Sequence, residues 1–240
     1  RKEFVTMKVI YNLLGITCAF ALMILLLITS IEAVTYWTPG YYEKEYTKHH
    51  VLDTVPMEME DLLDVTEEMM AYLRGNRDDL HVFTKVNGQT REFFNEREIA
   101  HMEDVRGLFL AAIAIRRICL VGIVGILVFF YVRKGETKGI LPRAICVGTG
   151  LFFALLAGVA ALISTDFTKY FVIFHHIFFN NDLWMLDPRT DLLINIVPEP
   201  FFVDTAARIG VTYGISVAVV FFLCIVCIVL TGKKSGRTWA

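Results

Sequence analysis

Four long apolar runs constrain this chain more than anything else in it: residues 9–31, 108–132, 144–163 and 209–230, of 23, 25, 20 and 22 residues. A helix rises about 1.5 Å per residue, so roughly 20 apolar residues cross a hydrocarbon core of about 30 Å. Each run is therefore long enough to be a membrane span. Together they hold 90 of the 240 residues, and the remaining 150 are strongly polar. With 55% apolar residues gathered in this way, a soluble enzyme, a nucleic-acid-binding domain and a secreted disulfide scaffold are excluded. The first run follows Arg1, Lys2 and Lys8 in the manner of a secretory leader. It exceeds the about 7–15 residues of a leader's apolar region, so an uncleaved span is expected.

Lys and Arg collect beside the cytoplasmic ends of spans. Segments 1–8, 133–143 and 232–240 carry 10 basic residues and 2 acids, whereas 34–107 and 166–208 carry 11 basic residues against 22 acids. The expectation is that both termini and the 133–143 loop are cytoplasmic and that the two acidic segments face outward. The net charge of −2 conceals this asymmetry. All five cysteines lie inside the spans, and the CxxC pair Cys224 and Cys227 sits mid-span, where a reactive thiolate has no water to support it.

The fold class expected is an all-α membrane bundle of four helices with a small extracytoplasmic α+β cap. The spans are 9–31, 144–163 and 209–230, plus a helix over 101–132 that runs from the interface into the second apolar run. The cap occupies 34–100. Within it, residues 57–74 place apolar side chains at a helical period and end at Gly75, while LHVFTKV and QTREFF flank Asn87-Gly88 as a two-strand hairpin. Asn95 stands three residues before Glu98, a capping box that opens the helix carrying His101. Segment 166–208 is crowded with Phe and Trp and broken by Pro188, Pro198 and Pro200. It reads as an interfacial or re-entrant segment, because irregular backbone at membrane depth needs protein cover.

All six histidines fall in the two acidic segments, and His is the side chain suited to moving protons near neutral pH. His49, His50 and His81 sit in polar surroundings and read as surface residues. His101 has Glu98 at i−3 and Asp104 at i+3, so a carboxylate on its own helical face can orient the ring and raise its basicity. His175 and His176 lie among aromatic residues. A catalytic metal needs about three or four converging ligands. Adjacent histidines on a helix point about 100° apart and no HxxxH or HxxE spacing occurs, so neither a metal nor a cofactor is expected. The four serines have no nucleophile-elbow setting and the acidic segments contain no cysteine. Any acyl chemistry must then use a nucleophile that belongs to the substrate. Arg116 and Arg117 interrupt the second run. They either snorkel to the headgroups or meet a phosphate, ester or carboxylate of a lipid.

Two motifs give these residues a family likeness. One is RExxHMxDV, from Arg97 through Glu98, His101 and Asp104 to Val105. The other is FHxxFFxxDxWxxDPxxDxLI, from Phe174 through His175, Trp184 and Asp187 to Ile194, followed by Pro200-Phe201-Phe202. With four spans and a large segment after the first, the chain resembles the bacterial lipoprotein intramolecular transacylases. The resemblance implies transfer of the sn-2 acyl chain of an S-diacylglyceryl cysteine to that cysteine's own α-amino group. It implies His101 and His175 as catalytic residues, with Asp104, Glu98, Arg97, His176, Trp184 and Arg116 supporting them or binding substrate. In that reading His101 is the base and His175 polarises the ester or protonates the leaving oxygen, with the roles open to exchange. The implied partners are diacylglyceryl lipoproteins and membrane phospholipids, with no nucleic acid, and the implied setting is a monomer in the bacterial plasma membrane with its site at the outer face. The competing reading is a non-enzymatic membrane chaperone or lipid-binding protein.

Overall fold

The computed structural model describes residues 2–137 and 139–236; Arg1, Lys138 and residues 237–240, which supply part of the cationic flanks used to orient the termini, lie outside them. In chain order the elements are α1 (Lys2–Tyr36), α2 (Tyr41–Lys48), a single 3-10 turn (Val51–Asp53), α3 (Met59–Arg74), β1 (Phe83–Val86), β2 (Gln89–Glu92), α4 (Glu96–Val132), α5 (Lys134–Thr137), α6 (Ile140–Ile163), α7 (Phe167–Phe178), α8 (Leu193–Ile196) and α9 (Glu199–Gly236). They form two compact units. A membrane unit takes Arg1–Ile31, Ala114–Ser164 and Ile209–Ala240, and a polar unit takes Glu32–Ile113 and Thr165–Arg208.

Among the described residues, four helices are long and apolar enough to cross a membrane: α1, α4, α6 and α9. Helix is the form these runs must take, because lipid offers no partner for an open N–H or C=O. Little hydrophobic force drives such helices together in lipid, so close approach depends on small side chains. Helices α1 and α6 supply them in register. A Cβ on Gly15 would lie 2.5 Å from the Ala144 Cβ, and one on Gly148 would lie 2.6 Å from the Ala19 Cβ. Further along, Met23, Phe152, Tyr213 and Val217 form a buried cluster. Ile118, Val121 and Phe222 are exposed instead, an apolar surface suited to lipid. Arg116 is half-buried and Arg117 exposed on this unit's part of α4.

The polar unit builds its own core from Tyr46, Val51, Val55, Leu62, Val65, Leu80, Phe93 and Phe94. Its helix α3 starts at Met59, two residues inside the expected 57–74, because Met57 N–H is turned back to the Val55 carbonyl and Glu58 is extended. Gly75 ends it in the left-handed region at φ 81°, where Asn76 N–H reaches back to Ala71 O at 2.9 Å. That six-to-one bond is the Schellman closure. The strands pair antiparallel with Val86 opposite Gln89, and Asn87 and Gly88 both take positive φ, 53° and 75°. Two such residues make the tight turn that matches strand twist. Arg106 of α4 donates to Tyr72 O at 3.0 Å and lies over the Tyr72 ring, fastening the end of α3. Helix α4 is unbroken for 37 residues. Its residues 96–113 belong to the polar unit and its residues 114–132 to the membrane unit.

Candidate active site

The first turn of α4 sets the position of His101. Asn95 and Glu98 close the capping box reciprocally, with Glu98 N–H donating to Asn95 Oδ1 at 3.0 Å and Asn95 N–H donating to Glu98 Oε2 at 2.7 Å. The second carboxylate oxygen of Glu98 accepts from Leu193 N–H at 2.6 Å, so one buried side chain fastens α8 to the start of α4. Burial raises the Glu98 carboxyl above its ordinary range, opposed by these N–H groups. Asp191, also buried, completes the tie by accepting from Asn95 Nδ2 at 2.8 Å and Asp187 N–H at 2.7 Å. Asp187 is itself gripped by Arg189, which holds its carboxyl down at about 2.

Helix α7 sets the position of His175. Asp166 caps it by accepting from Lys169 N–H at 3.0 Å. One turn before the histidine, the Phe171 carbonyl lies 2.7 Å from His175 Nδ1. A carbonyl only accepts, so Nδ1 carries the proton and the neutral ring keeps its lone pair at Nε2. The rings of His101 and His175 face each other at 6.2 Å between centroids and 33° between planes. Both are buried, at 7% and 6% exposure. Phe179 touches both at 5.5 Å, and Trp184 stacks on His175 at 4.8 Å. His176 points away, exposed, against the edge of Trp184 at 5.3 Å.

This aromatic enclosure disfavours the charged form of both imidazoles. Burial, helped by the nearby His175, pushes His101 down to about 4, with Asp104 pulling weakly the other way. Burial lowers His175 as well, against the Phe171 carbonyl. The expectation that Glu98 or Asp104 steadies the His101 ring by a hydrogen bond is not met. Glu98 spends both oxygens on backbone amides, Asp104 accepts from Asn181 Nδ2 at 2.8 Å, and His101 Nδ1 is buried with no hydrogen-bond partner among the described residues. Arg97 likewise turns from the ring and donates to the Asp182 carbonyl. Arg116 belongs to the membrane unit.

Of the other aromatics, Phe178 is exposed, Phe202 meets Phe171 at 5.7 Å, and Phe201 packs on Tyr41, Tyr42 and Tyr46 rather than on the histidines. His49 is half-buried between Glu45 and Asp204 instead of at the surface. Those three form the one group with metal-ligand spacing among the described residues, and Lys48 and Arg208 already pair with its carboxylates. Asn95, Asn181 and Asp191 escaped the sequence reading as site residues. The run Asn180-Asn181-Asp182 ahead of Trp184 is a turn signal that could have exposed Asn181.

The polar unit contains no serine or cysteine, so it offers neither of the commonest acyl-enzyme nucleophiles. Fold and site together define a class: a four-span integral membrane protein with two buried neutral histidines enclosed by aromatic side chains. The family model of the lipoprotein intramolecular transacylase Lit matches residues 16–202, and the chain belongs to that family. It is a lipoprotein intramolecular transacylase, which removes the non-enzymatic reading. No curated protein matches at a significant level. Among solved structures, the chain is similar to Lit from Bacillus cereus, with a TM-score of 0.72 at 21% identity over 95% of this chain and 98% of that one. A histidine-to-arginine variant of the same protein gives 0.75 at 20% identity over 99% of both chains.

Proposed function

We propose that this protein moves the sn-2 acyl chain of an S-diacylglyceryl cysteine onto the α-amino group of the same cysteine, by proton transfer through His175 and electrophilic assistance from His101. The observation that carries the reading is the facing pair in two different hydrogen-bonding states, His175 with Nδ1 committed to a carbonyl and His101 with Nδ1 uncommitted. Family membership supports the transacylase chemistry, and the absence of Ser and Cys from the polar unit supports a nucleophile brought by the substrate.

The free amine attacks the ester carbonyl carbon, a C–N bond forms, and the carbonyl oxygen takes up negative charge. His101, neutral near pH 7, donates an N–H to that oxygen. A neutral imidazole is a suitable electrophile here, since an imidazolium beside His175 would have to be desolvated. His175 Nε2 takes the proton from the attacking nitrogen, then delivers it to the glyceryl oxygen as the C–O bond breaks. The products are an amide and a free sn-2 hydroxyl, with no change in total mass. Of the two arrangements that the resemblance left open, this one takes His175 as the base, because the committed Nδ1–H gives it the better-placed lone pair. Holding amine and ester of one molecule together supplies about 7–11 kcal/mol of the barrier through orientation.

Purified protein incubated with a synthetic diacylglyceryl lipopeptide, followed by fragment-ion mapping of the acyl position, tests the reaction. The acyl group should shift to the amino terminus at constant mass, and H101A and H175A should each lose at least about 100-fold in rate. Undiminished transfer by H175A would falsify the proton-transfer role.

A further inference from the structure

Asp104 stands on the His101 face of α4, yet its carboxylate oxygen Oδ2 is engaged by Asn181 Nδ2 at 2.8 Å. Asn181 is the hub of the turn that follows α7. Its Oδ1 accepts from Leu183 N–H at 3.1 Å, which fixes the amide orientation and aims Nδ2 at Asp104. Its main-chain carbonyl accepts the Trp184 indole N–H at 3.1 Å. Trp184 in turn covers His175 at 4.8 Å and 32°. Arg97, one helical turn before His101, grips the same turn at the Asp182 carbonyl. Two charged side chains either side of one catalytic histidine thus hold the loop that roofs the other.

We infer that Asp104 and Arg97 are positioning residues of a clamp: they act on the 181–184 turn so that Trp184 holds the His175 ring in place, rather than acting on His101. The inference rests on the transacylase reading for its kinetic consequences, but the clamp itself can be observed without activity. A charge donated directly to His101 would need the carboxylate itself. A clamp needs only an acceptor at Asp104 matched to a donor at position 181.

The test is a swap. D104A removes the acceptor, and D104N keeps one. N181D sets two carboxylates against each other, and D104N/N181D restores one donor–acceptor pair with its direction reversed. A clamp predicts that kcat for lipopeptide falls by about 30–100-fold in D104A and N181D with KM within about threefold, as a displacement of order 1 Å does to oriented groups. D104N should recover at least about tenfold over D104A, and the swap at least about tenfold over N181D. A direct charge effect predicts the opposite: D104N as poor as D104A, no rescue by the swap, and a displaced pH–rate profile. That result overturns the inference. Trp184 emission, read in a W37F/W239F background, provides the activity-independent measurement. D104A and N181D should release Trp184 to a redder, brighter emission, and the swap should return it to the parent spectrum. Identical spectra in all variants refute the clamp even if transfer is never detected, whereas shifted spectra without transfer would uphold the clamp and remove the proposed sn-2 transfer alone.

Discussion

Replacing His101 by leucine should make this protein more stable while abolishing its activity. The side chain is 7% exposed and its Nδ1 is buried with no hydrogen-bond partner among the described residues. An unsatisfied buried polar atom costs about 1–3 kcal/mol, and leucine fills nearly the same volume without it. The effect also depends on pH. His101 is held at about 4 in the folded protein, against an ordinary value of 6.5. Above pH 6.5 the ring is neutral whether folded or not, and titration contributes nothing. As the pH falls from 6.5 toward 4, the unfolded chain takes a proton that the folded one refuses, so stability drops. At pH 5 that is roughly 1.5 units at about 1.4 kcal/mol each, or ~2 kcal/mol. H101L should therefore exceed the parent by about 1–3 kcal/mol at pH 7.5 and by about 3–5 kcal/mol at pH 5. Thermal melts of detergent-solubilised protein would read this as a few degrees at pH 7.5, widening by roughly 4–8 °C at pH 5. A leucine variant that melts below the parent at both pH values, or a gap independent of pH, would show that His101 is neither unsatisfied nor depressed.

Three further outcomes follow from the same geometry. Because burial holds both histidines below their ordinary 6.5 and the substrate's α-amino group titrates near 7.7–8.0, kcat/KM should climb about tenfold per pH unit up to roughly pH 8, and a break at or above 6.5 from a histidine would contradict the depressed pair. E98Q turns an NH2 group toward one of the two amides that Glu98 accepts, Asn95 N–H or Leu193 N–H, and should lower Tm by roughly 4–10 °C through a loss of about 2–3 kcal/mol. An unchanged Tm would mean that this tie does not hold α8 to α4. In the membrane unit, G148A places a Cβ 2.6 Å from the Ala19 Cβ and should cost about 1–3 kcal/mol in thermal stability, with A19G/G148A recovering most of it. Equal melting of G148A and parent would refute close packing of α1 on α6.

Much of the fold was legible because its signals are local. Four apolar runs state their own length and helical form, Asn87-Gly88 states a turn through its positive φ, and Gly75 states a helix end. The capping box of Asn95 and Glu98 was equally readable, since its partners are three residues apart. Less legible was anything that depends on segments distant in sequence. Spacing alone assigned Asp104 and Glu98 to His101, whereas the carboxylates face Asn181 and Leu193, about 80 and 95 residues further along. Phe201 stands in the motif that carries the resemblance, yet it packs against three tyrosines of α2.

Sequence by itself determined the chemistry available: two motif histidines, no serine or cysteine in the polar unit, and enough aromatic side chains to enclose a site. Tertiary structure decided which of these side chains meet. The lone pair of His175 is placed within its own helix, by the Phe171 carbonyl four residues back, whereas which carboxylate serves a histidine depends on what else competes for its oxygens. Hydrogen bonds saturate, so a side chain near a histidine in sequence is lost to it once a distant donor arrives first. Only the folded chain says which donor that is.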